Sequence, residues 1–220
     1  METKTENKEG SIKRLRDSEA FIQATEKERD NGSIWIDKKT FKIVLISMFS
    51  ALAVVLGYAL AYIPNVELFT LTIFLGGFIL GKRDGLVIGL LSSLIFVFFN
   101  PYGTSPLILF IYQIAHYSLT GLTGGMIKDF FRKKKYFKPK GDLYLFRIMI
   151  ILGSIGAIIT FVYDVISTLI GAFLISTSIE FFIISYIYGF PFTTIHLIGN
   201  TIEFIFILPG LVSLINKLLD

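Results

Sequence analysis

Residues 41–70 read F-K-I-V-L-I-S-M-F-S-A-L-A-V-V-L-G-Y-A-L-A-Y-I-P-N-V-E-L-F-T. The run Phe41 to Ile63 carries no charge after Lys42. At about 1.5 Å per residue it reaches roughly 34 Å, enough to cross a bilayer. Small residues recur four apart in two registers, Ser47 with Ala51, and Ala53 with Gly57 and Ala61. In lipid such rows let another helix come close, because hydrophobicity alone does not pair helices there. The run ends at Pro64-Asn65, with Glu67 directly after. The stretch predicts a membrane helix with two docking faces, followed by a short polar elbow.

Composition agrees with a membrane class. Of 220 residues, 53% are apolar and 17% charged, against about a quarter charged in soluble domains. Mean hydropathy is +0.68. The expected fold is an all-α integral membrane protein with six transmembrane helices and both termini cytoplasmic. With no cysteine in the chain, disulfides and thiolate metal sites are excluded.

Residues 1–40 form a separate hydrophilic extension ahead of a 41–220 transmembrane domain. Ten Lys/Arg and nine Asp/Glu lie within residues 1–42. That mixture suits either a flexible cytoplasmic segment or a solvated helix over Lys13 to Asp30. It does not read as a secretory signal, since some forty polar residues precede the first apolar run.

Beyond the elbow, Val66 to Leu80 and Leu86 to Phe99 are two short spans joined by a charged turn, Gly81-Lys82-Arg83-Asp84-Gly85. Asn100 to Pro106 reads as a turn by its Pro, Gly and Asn. Pro106 to Ile127 is a fourth span and Lys128 to Gly141 a basic loop facing anionic lipid. Leu143 to Ser176 is the fifth span. Ser176 to Gly189 is expected as an interrupted outer cap, and Pro191 to Asn216 as the sixth span, bent or ended at Pro209-Gly210. Expected inner segments hold all 21 Lys and Arg, and the outer segments 63–67, 100–106 and 176–190 hold none. That distribution sets the orientation.

Polar residues within the spans carry the functional question. Gln113 and His116 are three apart, with Thr120 completing their face. His196, Asn200 and Glu203 are spaced four then three, and Asp164 has Ser167 and Thr168 nearby. By helical rise, Gln113, His116, Asp164, His196 and Asn200 all fall in the outer half, with Asn65, Glu67 and Asn100 at the outer ends. Ionisable groups in spans are costly and mark a site by default. The alternative is that the amides and histidines hydrogen-bond between helices. Glu180 is expected at the outer interface.

These residues resemble the S components of energy-coupling-factor (ECF) vitamin transporters over roughly 41–216. The resemblance rests on S-A-L-A-V-V-L-G-Y…I-P-N-V-E-L-F-T (50–70), G-K-R-D-G (81–85), N-P-Y-G (100–103), P-L-I-L-F-I-Y-Q (106–113) and G-F-P-F-T-T-I-H-L-I-G-N (189–200). It implies a substrate-binding subunit of the cell membrane, with an outward-facing pocket for a vitamin or precursor. It also implies docking on a transmembrane coupling protein driven by two cytoplasmic ATPases. The family's A-x-x-x-A docking motif falls on Ser47-x-x-x-Ala51, with Ser in place of the first Ala. No G-x-x-x-x-G-K-[ST] is present, so any energy must come from partner subunits, which fits an S component and equally a passive binder. The resemblance implies that ATP is used by partner subunits only and that the chain has no cofactor of its own.

Two other classes compete. His116, His196, Asp164 and Glu203 could serve an intramembrane enzyme, but H-E-x-x-H and G-x-S-x-G are absent. A self-sufficient secondary carrier commonly shows inverted repeats, and the first three spans have no counterpart in the last three. The expected outer half has no Lys or Arg, which disfavours an anionic ligand. A neutral or cationic ligand with a ring suits it better. The elbow and the N-P-Y-G loop look most like members handling cobalamin or its lower-ligand precursors.

Overall fold

The computed structural model describes residues 39–100, 103–134, 137 and 143–219. The 1–38 part of the extension, Pro101-Tyr102 of the N-P-Y-G loop, and most of the basic loop beyond Lys134 lie outside the described residues. Six helices follow in order: α1 (Lys39–Ala59), α2 (Phe69–Leu80), α3 (Lys82–Phe98), α4 (Leu107–Arg132), α5 (Phe146–Ile175) and α6 (Ile179–Leu218). No strand occurs among the described residues. Among the described residues, three helices are long and apolar enough to cross a membrane by length and composition: α1 with 21 residues, α5 with 30 and α6 with 40.

The centre of the molecule is α2. All twelve of its residues are buried, as expected of a helix that is hydrophobic on every side. At about 18 Å it is too short to span a bilayer alone. Around it stand α1, α3, α4 and the last part of α6. The packing of α2 and α3 on α4 is made close by Gly77, Gly85 and Gly121. A Cβ on Gly85 or on Gly77 would strike the Gly121 carbonyl oxygen, and one on Gly121 would strike that of Gly85. Helix α5 packs mainly on α6, where the Phe204 ring fills the space beside Gly156 and meets Phe74 of α2, centroids 5.0 Å apart.

Several boundaries differ from the expected ones. Helix α1 ends at Ala59 rather than running to Ile63. Its last turn tightens, with Ala61 N donating to Tyr58 O, and Pro64 disfavours helical backbone at Ile63. Only Gly81 forms the turn before α3, with φ +106°, a value open chiefly to glycine. Lys82 to Gly85 are the first helical turn of α3 instead. There Lys42 bonds Asp84 at 2.7 Å and Lys82 bonds Asp129 at 2.8 Å. Helix α4 runs past Ile127 to Arg132. Lys128 folds back to donate to Ile79 O at 2.6 Å, serving a carbonyl of α2's last turn.

The largest difference concerns the expected outer cap. Residues from Ile179 are already helical, and the helix continues through Pro191 to Leu218. A proline lacks one backbone donor, a defect that membrane helices tolerate. Pro209 does not end the helix either. The residues before it, Glu203–Ile207, form a π-helical turn. That wider turn covers Ile205, whose carbonyl the Pro209 ring would otherwise strike.

Candidate functional site

Glu67 sits just ahead of α2 and turns back onto that helix's first amides. Its Oε2 accepts from Thr70 N at 3.1 Å, and its Oε1 takes the Thr70 hydroxyl. A carboxylate suits this place because unpaired N–H groups and the helix dipole leave the end positive. Burial works to raise the Glu67 carboxyl. The hydrogen bonds and charge of His196, with those from Thr70, outweigh it and hold the group below the usual carboxylate range.

His196, on α6, stands between two acids. Its Nδ1 lies 2.8 Å from Asp164 Oδ1 on α5, and its Nε2 lies 3.4 Å from Glu67 Oε1. Both neighbours only accept when ionised, and both ring nitrogens donate only in the imidazolium form. Asn200, one turn along α6, donates from Nδ2 to Thr160 Oγ1 at 2.8 Å and to Glu67 Oε1 at 3.4 Å. Glu203 is buried three residues further and is close enough to interact electrostatically with Glu67 and His196. The four-then-three spacing thus puts three polar residues of α6 on one inward face.

A second cluster adjoins the first through aromatic rings. Gln113 Nε2 on α4 donates to the Tyr163 hydroxyl at 3.0 Å. His116 lies 5.0 Å from the Tyr163 ring and 5.4 Å from that of Tyr117, centroid to centroid. The Tyr163 ring meets His196 edge-on at 6.1 Å.

An open cavity of about 190 Å³ reaches this network. Asn65, Val66, Glu67, Asn100 and His196 line it, with Gly57, Phe96 and Tyr117 among the remaining wall residues. Asn65 holds the elbow in the left-handed region, φ +58°, which Asn tolerates better than most residues. Phe96 forms the wall beside Gly57 and stacks on Phe69, centroids 4.4 Å apart.

The structure therefore joins Glu67, Asp164, His196 and Asn200 in one hydrogen-bonded network. It sets Asn65 and Asn100 on the cavity wall and Gln113 and His116 in the adjoining aromatic cluster. Ser167, by contrast, bonds its own helix at Asp164 O, and Thr120 bonds His116 O. Glu180 is exposed. Sequence reasoning missed Thr160, Tyr163 and Tyr117. The available signal was spacing, since Thr160 precedes Asp164 by one helical turn.

The sequence profile of the family described as "ECF transporter, substrate-specific component" matches residues 41–208. The chain belongs to that family. It is the substrate-specific subunit of an ECF transporter, and its apolar helices make it a multi-pass membrane protein. Membership implies association with a coupling protein and ATPases. No curated protein and no solved structure matches the chain. On α1, Ser47 and Ala51 are exposed, whereas Ala53 and Gly57 are buried.

Proposed function

We propose that this S component captures a vitamin or vitamin precursor from outside the cell. The solute binds in the cavity at Glu67 and His196 and is delivered through a transmembrane coupling protein and two cytoplasmic ATPases. The observation that carries this reading is the convergence of Glu67, Asp164, His196 and Asn200, from three separate segments, at an open cavity. Asn65 and Asn100 contact the solute from the wall, and Gln113 and His116 do so through the aromatic cluster. Six spans with both termini on the cytoplasmic side of the cell membrane put the cavity's mouth outside, in keeping with the Lys and Arg distribution.

Cavity size narrows the solute. At about 190 Å³, the space lies below the ~300–1,000 Å³ of drug-sized ligand sites. A single or fused ring, such as a lower-ligand precursor of cobalamin, suits it better than a whole corrinoid. Ser47 and Ala51 form the docking face toward the coupling protein, because they are open while the other small-residue row is filled by the chain's own helices.

The test is reconstitution with and without partners. Chain alone in liposomes should bind solute without flux, and uptake should require the coupling protein, both ATPases and ATP. ATP-independent flux by the chain alone would instead make it a secondary carrier.

A further inference from the structure

The buried polar atoms left without a partner around this network are all oxygens. They are Gln113 Oε1, Asp164 Oδ2, Asn200 Oδ1 and Glu203 Oε2. For Asn200 the orientation is fixed by chemistry. Its amide group faces the Glu67 carboxylate, which only accepts, so the nitrogen must point there and the carbonyl oxygen is left over. Asn200 is 1% exposed and Glu203 8%, so water does not readily satisfy these oxygens from bulk.

Charge points the same way as hydrogen bonding. Glu67 and Asp164 flank one imidazole, so even with His196 protonated these two carboxylates outnumber the cation. Buried negative charge without a partner is expensive. The two contacts on the inner side of Glu67 Oε1, from His196 and Asn200, are both long at 3.4 Å and a stronger donor can displace them. Beside this carboxylate stand the rings of Tyr117 and Phe96, which also line the cavity. Aromatic faces attract cations and stack on planar rings. Among the described residues, no three His, Asp or Glu side chains are arranged to hold a metal ion.

We infer that the site selects a small planar organic cation, a ring bearing an amidinium or ammonium group, which donates to Glu67 on the cavity wall and offsets the surplus negative charge of the network behind it. This rests on the cavity being the solute site. A neutral analogue loses the charge pairing, and a carboxylate analogue adds repulsion.

The experiment uses an isosteric series, benzamidine, benzamide and benzoate, which carry positive, zero and negative charge on one shape. Calorimetry at neutral pH on the purified full chain should give benzamidine the tightest binding, by about tenfold or more over benzamide, with benzoate weakest. Asp164→Asn keeps the side-chain shape and removes a carboxylate behind the cavity wall, and should weaken benzamidine several-fold more than it weakens benzamide. Glu67→Gln should do the same and more strongly, with Asp164→Asn as the control if it misfolds. Equal or tighter binding of benzoate overturns the inference, as does no saturable benzamidine binding up to about 10 mM. So does an inorganic ion as the occupant: thermal stabilisation by sodium chloride but not choline chloride, with no preference for benzamidine. These readouts need no partner subunit. Loss of partner-dependent uptake would refute the importer reading without touching the charge preference.

Discussion

Adding one methyl group to the buried face of α1 should disturb the cavity, while a far larger group on its open face should not. At Gly57, an added Cβ would lie 2.7 Å from Phe96 Cε2. Carbon pairs pack best at about 3.5–4.0 Å, so the ring must retreat by roughly 1 Å. It is poorly placed to do so, because Phe96 stacks on Phe69 at 4.4 Å and on Tyr58 at 5.1 Å. The Tyr58 hydroxyl is in turn tied to the Ile95 and Phe96 carbonyls. Overpacking of this kind costs about 1–3 kcal/mol, which in a chain of this length lowers Tm by about 2–12 °C. Gly57→Ala should therefore unfold earlier in detergent and bind solute more weakly, since Phe96 is cavity wall. Gly57→Trp should damage folding outright. Ala51 is exposed, so Ala51→Trp should keep stability within about 0.5 kcal/mol, with binding intact. It should nevertheless abolish co-purification with the coupling protein and ATP-driven uptake. Calorimetry and thermal unfolding on the isolated chain, with uptake in the full complex, give all three readouts. If Gly57→Ala is as stable as the parent, the packing argument is wrong, and unimpaired uptake by Ala51→Trp removes α1's open face as the docking surface.

The orientation can be read by placing single cysteines at Thr104, Lys134 and Lys217 in this cysteine-free chain. Thr104→Cys should label with an impermeant thiol reagent in whole cells and the other two only after lysis. Labelling of Lys134→Cys from outside refutes the six-span arrangement. Asn200→Ala removes two donors, to Thr160 and Glu67, and should weaken solute binding by about five- to 150-fold, since each lost buried bond costs about 1–3 kcal/mol. Gln113→Ala and His116→Ala should weaken binding less, because they act through Tyr163, and full affinity in all three variants would reduce the network to interhelical glue. The Glu67 carboxyl is held low in the folded protein, so its contribution is present above the ordinary carboxylate pKa of about 4.3 and is lost as pH falls below it. The stability gap between parent and Glu67→Gln should accordingly be full at neutral pH and close in acid, and a gap independent of pH argues against that pairing.

Much of the site was legible because helical spacing and burial cost act together. His196, Asn200 and Glu203 recur on one face, and an acid such as Asp164 within an apolar run has few places to go but inward. The partnership of Asp164 with His196 was not legible, because nothing local encodes which face of α5 meets α6. Thr160 and Tyr163 went unnoticed since a threonine or tyrosine in a membrane helix is unremarkable until its partner is known. The long α6 departs from the expected cap and span for a definite reason. Pro191 looks like a first-turn residue, and Pro209 like a terminator, but surrounding helices and a π-helical turn absorb both defects. The charged G-K-R-D-G stretch reads in sequence as all turn, although a single glycine at positive φ reverses the chain and leaves four residues free to start a helix.

The complete enclosure of α2 bears on how this chain tolerates change. A helix with one face in lipid has positions where almost any apolar residue serves, repeating every three to four residues. Residues 69–80 offer no such outlet, since every side chain meets protein. A saturation scan should therefore lose the helical rhythm across these twelve positions and show near-uniform intolerance, while α1 keeps a clear alternation between Ser47 or Ala51 and Ala53 or Gly57. Hydropathy alone cannot distinguish the two segments, because both are simply apolar. What separates them is the number of neighbours, so the most hydrophobic short segment of the molecule is also the one least free to drift.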